Sequence, residues 1–311
     1  MVQDIYPHKL YNQYDKEAVA TAKDTVLNIY DGKILLYKAS FEQKELVFPK
    51  VEDFKNDSGK DSGKDSGKKL VAVSEKDQEK DQGEALEFRY LFSIDQQKYF
   101  LLEGQQDQGI LPKDTEYIAE RDIRIEGIGP AEELFAAITG KHLADWYRDT
   151  KYCGRCGHKM HHSTSERAMK CDSCGNRVYP RIMPAVIVGV INGDKLLLTR
   201  YKVGYAHNAL IAGFTEIGET MEETVQREVM EEAGLRVKNI RYYKSQPWGS
   251  ANDILLGYYC EVDGDDTIVM DQQELKYAEW VRREDIVLQP GTFSLTNEMM
   301  MRFKDGSITA D

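Results

Sequence analysis

Three glutamates in the segment GFTEIGETMEETVQREVMEEAGL, residues 213–235, have the type and spacing of metal ligands. Glu228, Glu231 and Glu232 stand at positions i, i+3 and i+4, which share one face of a helix. Like charges at this spacing repel by roughly a few tenths of a kcal/mol per pair. Mg²⁺ is typically held by carboxylates together with substrate phosphates, and a bound cation relieves the repulsion. The segment therefore predicts a divalent metal site; the alternative interpretation is a solvated acidic helix face.

The same segment carries signals for both ends of a helix. Thr220–Glu223 matches a capping box and Gly234 is a typical C-terminal stop, so we predict a helix over about 221–233. The apolar residues that recur at every fourth position form its predicted buried stripe: Met221, Val225 and Val229. Arg227 can hold a glutamate in place, and Glu219 brings a further carboxylate to the start of the helix.

Four of the five cysteines form two CxxC pairs, Cys153 with Cys156 and Cys171 with Cys174. Tetrahedral zinc can take four thiolates, so this spacing predicts a zinc ribbon. The histidines that could substitute as ligands are His158, His161 and His162. Such a ribbon can contact nucleic acid or serve as a structural site, and the negative charge of the chain favours the structural role. Cys260 lies in an apolar strand and is predicted to be an ordinary buried thiol.

The whole-chain composition limits the classes of function. The 311 residues carry a net charge of −12, with 41% hydrophobic and 30% charged residues, which is typical of a soluble globular protein. A non-specific binder of nucleic acid or of a membrane surface needs the opposite charge. The start of the chain has no signal-peptide pattern, and the longest apolar run, 185–191, is far shorter than the ~20 residues of a membrane span. We therefore expect a cytoplasmic protein.

The first part of the chain has the pattern of short strands. β-rich runs flank Asp31-Gly32, a strong hairpin signal, and residues 88–104 repeat the pattern. Between these runs, roughly residues 55–85 carry three copies of Asp-Ser-Gly-Lys and almost nothing apolar. We predict a disordered loop there, either a regulatory tail or a tolerated repeat expansion. Residues 131–153 have helical spacing and lead into the cysteines.

The second part alternates strands with helices. A hairpin pattern is centred on Asn192-Gly193, and the glutamate helix follows it. Three further strand patterns and a closing helix come next: VKNIRYYKSQ, DILLGYYCEV, AEWVRRED and LTNEMMMRFKDG. This order predicts a mixed sheet with helices packed on it, an α/β/α sandwich.

The full spacing of the glutamate segment resembles the signature of the Nudix hydrolases. It reads G-x5-E-x7-R-E-V-x-E-E-x-G-L with no position missing, and its fixed residues are Gly213, Glu219, Arg227, Glu228, Val229, Glu231, Glu232, Gly234 and Leu235. The resemblance implies a Nudix fold, dependence on Mg²⁺ or Mn²⁺, and cleavage of a nucleoside diphosphate linked to another moiety. It implies that Glu228, Glu231 and Glu232 are metal ligands, with Glu219 and Arg227 in the same catalytic set. Which glutamate is the general base is left open.

A zinc ribbon before such a domain, the segment YPRIMPAVIV and the sequence SQPW at 245–248 resemble the NADH pyrophosphatase subfamily. This resemblance covers about residues 131–311 and implies cleavage of NAD(H) into nicotinamide mononucleotide and AMP; the same chemistry could remove an NAD cap from RNA. It also implies a homodimer and a further metal ligand, Glu274. The residues that match substrate contacts are Glu166, Tyr179, Ala212, Phe214, Gln246, Trp248 and Ser294. Phe214 could stack on nicotinamide or adenine, whereas packing is the alternative role for Phe214 and Trp248.

One segment departs from the subfamily, whose motif continues as SQPWPFPxS where this chain reads SQPWGSAND. Gly249-Ser250-Ala251 replaces the Pro-Phe-Pro element, and Asp253 replaces the serine. This change affects the expected dinucleotide preference more than the expected pyrophosphate cleavage. The alternatives are therefore a Nudix hydrolase of another nucleotide derivative such as ADP-ribose, and a non-catalytic nucleotide-sensing regulator whose ribbon binds nucleic acid.

The predicted domain organisation has three parts. They are a β-rich N-terminal domain over 1–130, a helix plus zinc ribbon over 131–178, and a Nudix hydrolase domain over 179–311.

Overall fold

The described part of the chain forms two compact units. The computed structural model of the protein describes residues 1–54, 86–103, 111–126, 129–203 and 207–309. The N-terminal unit is Ile5–Arg181, and the C-terminal unit combines Met1–Asp4 with Ile182–Asp311. The loop predicted at about 55–85 lies outside the described residues. No helix in the described ranges is long and apolar enough to cross a membrane.

The N-terminal unit is built from short strands and three helices, counted over its described residues. Its strands are β1 Leu10–Tyr11, β2 Thr25–Leu27, β3 Ile29–Tyr30, β4 Lys33–Tyr37, β5 Glu87–Ile94, β6 Gln97–Glu103, β7 Thr115–Ala119, β8 His161–His162, β9 Met169–Lys170 and β10 Arg177–Val178. Its helices are α1 Lys38–Glu42, α2 Glu120–Glu126 and α3 Ala131–Asp149. The strands pair in the orders β1-β5-β6-β2, β3-β4-β7 and β10-β9-β8.

The two hairpins predicted in this unit are confirmed. β3 pairs with β4 across Asp31-Gly32, and both turn residues have positive φ, 49° and 71°. A positive φ at both positions is the conformation that favours Asp-Gly in a tight hairpin. The second hairpin joins β5 to β6, which pair antiparallel.

The C-terminal unit is a mixed sheet with a helix on each face. Its strands are β11 Met183–Asn192, β12 Lys195–Tyr201, β13 Ile211–Phe214, β14 Val237–Trp248, β15 Asp253–Val262 and β16 Leu275–Arg282. Its helices are α4 Met221–Ala233 and α5 Leu295–Lys304. The strands of the described residues run in the order β14-β15-β11-β12-β16, with β13 also paired to β11. β11 and β15 are parallel and the other pairs are antiparallel.

Alternate residues of β11 enter two separate cores, because successive side chains of a strand point to opposite faces. Val186 and Val188 pack with Val225 and Val229 of α4. On the opposite face, Ile187 packs with residues of α5. A central strand that is covered on both sides reads as a continuous apolar run, as β11 does. The predicted α/β/α sandwich is therefore confirmed.

The first residues of the chain are part of the C-terminal unit. The Val2 N–H donates to the Phe293 carbonyl over 3.1 Å, and the Val2 side chain is buried. The Gln3 amide donates to the Ser245 carbonyl of β14 over 3.0 Å. These bonds attach the first residues to the segment before α5 and to β14.

Candidate active site and zinc centre

The start and the end of α4 are fixed by the signals that the sequence contains. The Thr220 hydroxyl accepts from the Glu223 N–H over 3.2 Å, and the Glu223 carboxylate accepts from the Thr220 N–H over 2.8 Å. At the other end, Gly234 has a left-handed conformation with φ 69°. The predicted helix and its capping box are confirmed. Because Val225 and Val229 face the core, the rotation of the helix about its axis is fixed as well.

Arg227 ties the loop before α4 to the helix. Its Nε donates to one Glu219 oxygen over 2.6 Å and its Nη2 to the other over 3.0 Å. The arginine hydrogen bond lowers the pKa of Glu219 to about 2, and the Glu216 N–H adds to this effect. Glu219 is therefore ionised and paired with Arg227, and this pair holds the guanidinium in a fixed position.

Arg227 also contacts two of the three predicted metal ligands. Its Nη1 lies 2.7 Å from Glu228 and 3.0 Å from Glu231, and its Nη2 donates to the Phe214 carbonyl over 2.9 Å. One planar guanidinium thus connects the loop, the helix and β13, which is the fork geometry that arginine provides. Of the two glutamates, Glu231 is the exposed one, with 59% of its side chain accessible.

Two carboxylates of the site are shielded from solvent: Glu228 is partly buried and Glu232 is buried. Burial raises the pKa of Glu228, with Glu231 and Glu274 acting in the same direction and Arg227 opposing it. Burial also raises the pKa of Glu232 to about 8, with further contributions from the nearby Glu228 and Glu274. The structure therefore brings Glu274, predicted as a further ligand, into electrostatic range of both.

Gly213 provides the space in which Glu228 lies. A Cβ atom on Gly213 would come 1.9 Å from the carboxyl carbon of Glu228 and 2.0 Å from one of its oxygens. The fixed glycine of the motif is therefore a steric requirement of the glutamate that stands fifteen residues later.

These residues fit a hard divalent cation. The site collects carboxylates that repel one another, and Glu232 carries its charge only at a cost because it is buried. Oxygen donors of this kind suit Mg²⁺ or Mn²⁺. A cation among them would offset both the repulsion and the cost of burying the charge.

One contact in the site is absent from the sequence motifs. The Tyr201 hydroxyl at the end of β12 lies 3.2 Å and 3.3 Å from the two carboxylate oxygens of Glu232. Nothing in the local pattern of β12 marks this tyrosine, because it and Glu232 lie far apart in the chain.

The four cysteines form a cluster with the geometry of a metal site. Their sulfur atoms all lie within 4.8 Å of one another, with 3.6 Å between Cys153 and Cys174 and 3.5 Å between Cys156 and Cys171. Four sulfur ligands in one compact cluster are the donor set of a tetrahedral structural zinc site. The predicted zinc ribbon is therefore supported.

The ribbon histidines have other contacts. His162 Nε2 lies 3.1 Å from Glu103, His161 Nε2 lies 3.8 Å from Asp172, and His158 Nδ1 lies 3.2 Å from the Cys156 carbonyl. Over the described ranges, these cysteines are the one group of three or more His, Cys, Asp or Glu residues whose ligand atoms all lie within 4.8 Å of one another; the carboxylates beside α4 are spaced more widely, as in Mg²⁺ sites that water and substrate phosphates complete.

The residues predicted as substrate contacts are divided between the two units. Glu166 and Tyr179 lie in the N-terminal unit. The Glu166 carboxylate accepts from the Tyr179 hydroxyl over 3.2 Å and from the Arg177 guanidinium over 2.9 Å. Ala212, Phe214, Gln246, Trp248 and Ser294 lie in the C-terminal unit. Phe214 is half exposed, as a stacking residue requires.

Two of these residues have structural roles in the C-terminal unit. Gln246 is fully buried; its amide donates to the Phe293 carbonyl over 2.7 Å and accepts from the Leu295 N–H over 2.7 Å. The Ser294 hydroxyl accepts from the Asn297 N–H over 3.1 Å and so caps α5. Both side chains hold the start of α5, and their substrate contact stays a prediction that this geometry does not support.

The altered motif contains a buried acid. Asp253 is 4% exposed, and its Oδ1 has no hydrogen-bond partner among the described residues. Burial raises the pKa of Asp253 to about 7. The carboxyl that replaces the serine is therefore a core group of β15.

Comparison with known proteins identifies both parts of this arrangement. Residues 181–303 match the NUDIX domain, and residues 148–179 match the NADH pyrophosphatase zinc ribbon domain. The C-terminal unit thus contains a NUDIX domain. Directly before it, residues 148–179 are similar to the zinc ribbon domain of NADH pyrophosphatases, so the two resemblances stated from the sequence are found in these parts of the chain.

Two relatives illustrate the similarity. The chain is 47% identical over 154 residues to the NAD-capped RNA hydrolase NudC of Shigella flexneri, and 46% identical over 154 residues to that of Escherichia coli (strain K12 / DH10B). Each match covers 49% of this chain and 59% of the relative, so the chain spans about three fifths of the length of these relatives. A solved NUDIX hydrolase from Nitrosomonas europaea is 20% identical with a TM-score of 0.44, covering 50% of this chain and 90% of that one.

Proposed function

We propose that this protein is a metal-dependent hydrolase that cleaves the pyrophosphate of NAD(H) to nicotinamide mononucleotide and AMP. The observation that carries the proposal is the cluster of the Glu228, Glu232 and Glu274 carboxylates, with Glu228 in the space beside Gly213. This cluster lies in the part of the chain that matches the NUDIX domain, after the part that matches the NADH pyrophosphatase zinc ribbon domain. The relatives named NAD-capped RNA hydrolase support the same bond as the target.

In this proposal, four carboxylates hold Mg²⁺ or Mn²⁺: Glu228, Glu231, Glu232 and Glu274. A bound divalent cation lowers the pKa of water and neutralises the charge that develops on phosphoryl oxygens. Arg227 orients Glu228 and Glu231 from one side, and Glu219 holds the arginine in turn. A glutamate of the set accepts the proton of the attacking water.

The dinucleotide would be recognised by groups outside the carboxylate cluster. Phe214 follows Gly213 directly and is half exposed, so it can stack on nicotinamide or adenine beside the reacting phosphates. Glu166 and Tyr179 are proposed as further contacts on the subfamily resemblance.

An NAD cap on RNA is the second candidate substrate, because it contains the same pyrophosphate and the relatives are named for its hydrolysis. We further propose structural zinc at the four cysteines and a cytoplasmic homodimer. The thiols outside disulfides are consistent with a reducing compartment. Light scattering of the purified protein measures the oligomeric state directly.

Turnover with Mn²⁺ tests the function. NADH, an NAD-capped RNA and ADP-ribose are compared, and the products are identified by chromatography. We expect nicotinamide mononucleotide and AMP from NADH, and a loss of at least ~100-fold in kcat for Glu231→Gln or Glu232→Gln, roughly the contribution of a catalytic group. Glu222→Gln, an exposed position in the first turn of the same helix, serves as the control. A tenfold preference for ADP-ribose would replace the NADH assignment, and full activity in both variants would reject the metal site.

A further inference from the structure

The end of β12 contacts the candidate metal site through a tyrosine. The Tyr201 O–H lies 3.2 Å and 3.3 Å from the two oxygens of Glu232, and Glu232 is only 3% exposed. A buried carboxylate needs hydrogen-bond donors to replace the water it has lost. The tyrosine provides such a donor from outside the Nudix motif.

The position of Tyr201 follows from the alternation of β12. Leu197 belongs to the core that α4 covers, and every second residue of a strand points to the same face. Tyr201 is four residues further on, so its side chain points to the α4 face. Glu232, in the last turn of α4, lies on that face of the sheet.

The residue after β12 contacts the backbone of Glu274, the one predicted Mg²⁺ or Mn²⁺ ligand that lies outside α4. The Lys202 N–H donates to the Glu274 carbonyl over 3.0 Å, just before β16 begins. The pairing of β12 with β16 shifts register here: Arg200 is opposite Tyr277, whereas Tyr201 is opposite Leu275. Irregularities of this kind commonly redirect side chains beside active sites. Two neighbouring residues thus contact Glu232 and Glu274, which come from different elements.

We propose that Tyr201 is a positioning residue for metal binding, whose hydroxyl holds the Glu232 carboxylate in its ligating orientation. The inference rests on the proposed function only in that Glu232 is a ligand. Groups that hydrogen-bond to a metal ligand commonly affect metal affinity or activity by 10–100-fold.

A purely structural role would have different consequences. In that case the hydroxyl would only satisfy a buried acid, and its removal would lower stability without changing metal affinity. Tyr259 provides the matched comparison, because its buried hydroxyl donates to the Met299 carbonyl over 2.8 Å on the α5 side of the sheet. Tyr259→Phe removes one buried hydrogen bond, as Tyr201→Phe does, away from the carboxylates.

The experiment measures Mn²⁺ affinity by electron paramagnetic resonance, together with the melting temperature of the metal-free proteins. We expect Tyr201→Phe to raise the Mn²⁺ Kd by roughly tenfold or more. Tyr259→Phe is expected to keep the wild-type Kd, although both variants lose similar stability. With NADH as substrate at fixed Mn²⁺, kcat should fall for Tyr201→Phe while KM for the dinucleotide stays within about twofold, because the side chain acts through a metal ligand.

Three outcomes decide between the explanations. A wild-type Mn²⁺ Kd in folded Tyr201→Phe overturns the inference, and so does an equal loss of affinity in Tyr259→Phe. A selective loss of Mn²⁺ affinity in Tyr201→Phe, in a protein that does not cleave NADH, supports the inference and rejects the proposed substrate. If Tyr201→Phe does not fold, the metal-induced rise in melting temperature is compared between wild type and Tyr201→Met, which removes the hydroxyl and supplies no donor in its place. An equal rise in both proteins would leave the hydroxyl without a role in metal binding.

Discussion

At the scale of single residues, the Glu228 carboxylate occupies the space that a Cβ atom on residue 213 would fill. The clash of an added Cβ would be with the end of a flexible side chain, 1.9 Å from its carboxyl carbon. Such a side chain can move at little cost to the fold, although it then leaves its position in the site. Gly213 therefore affects the geometry of the carboxylates far more than it affects stability.

We predict that Gly213→Ala keeps a near-wild-type melting temperature but weakens Mn²⁺ binding by roughly tenfold or more, as for other changes that displace a metal ligand. Calorimetric titration measures the affinity. Glu228→Gln is the comparison: if the alanine acts by displacing Glu228, the two losses should not add in the double variant. Additive losses would show that the alanine acts on something else.

The buried Asp253 carboxyl makes the stability of the protein depend on pH. Burial raises its pKa from the ordinary 3.8 to about 7, so between these values the folded protein holds a proton that the unfolded chain has released. The stability that this carboxyl contributes is therefore fully present below pH 3.8 and declines until the pH passes about 7. Above that pH, the folded protein contains a buried carboxylate whose Oδ1 has no partner in the described chain.

We predict that Asp253→Asn is more stable than the wild type at neutral and higher pH, because it removes this ionisation. The gap in melting temperature should widen from pH 5 to about pH 7 and then level off, as the pKa of about 7 requires. Scanning calorimetry at several pH values measures it. A gap that does not change with pH would mean that Asp253 is not the titrating group.

At the scale of elements, α4 depends on its cap. The Thr220 hydroxyl and the Glu223 carboxylate satisfy one another's backbone N–H groups at the helix start. Loss of an N-cap hydroxyl typically costs about 1 kcal/mol, which corresponds to a few degrees in the melting temperature of a domain of this size. We predict such a fall for Thr220→Ala, measured by thermal unfolding. Thr220→Ser keeps the hydroxyl and should stay close to the wild type; an equal fall in both variants would contradict the capping role.

The elements also show which features could be predicted from the sequence. The caps and the apolar stripe of α4 lie within one short segment, and the cysteine pairs have a fixed local spacing, so the helix and the cysteine cluster are confirmed. The metal-binding role of the α4 glutamates stays a prediction. Tyr201 acts on Glu232 from 31 positions away, and Gln246 bonds to Leu295 from 49 positions away. Contacts of this kind depend on strand register and on the docking of α5, which leave no local periodicity. The subfamily resemblance implies a substrate contact for Gln246, and the local sequence gives no sign that its amide bonds to Phe293 and Leu295.

At the scale of the whole molecule, the division into compact units does not follow the order of the sequence. Met1–Asp4 belong to the same compact unit as Ile182–Asp311. The ribbon cysteines lie in the other unit, Ile5–Arg181, together with the β-rich sheets. Within that unit, His162 of the ribbon contacts Glu103 of β6 over 3.1 Å. The zinc ribbon is therefore connected to the N-terminal sheets through a side-chain contact as well as through the chain.

This organisation determines what zinc loss should do. Structural zinc contributes on the order of 10 kcal/mol to the fold of its site, and the described contacts of the four thiols lie within the N-terminal unit. We predict one zinc per chain by native mass spectrometry and its loss in Cys171→Ser. Hydrogen exchange should then accelerate in peptides from residues 151–178, while peptides from α4 keep their protection. Cys260→Ser, a buried cysteine of β15 outside the cluster, is the control and should retain the zinc. The three remaining cysteines of Cys171→Ser cannot complete a tetrahedral four-sulfur site, so this variant should be free of zinc. If hydrogen exchange in its ribbon nevertheless stays at the wild-type rate, the ribbon is stable without zinc and the structural role is rejected.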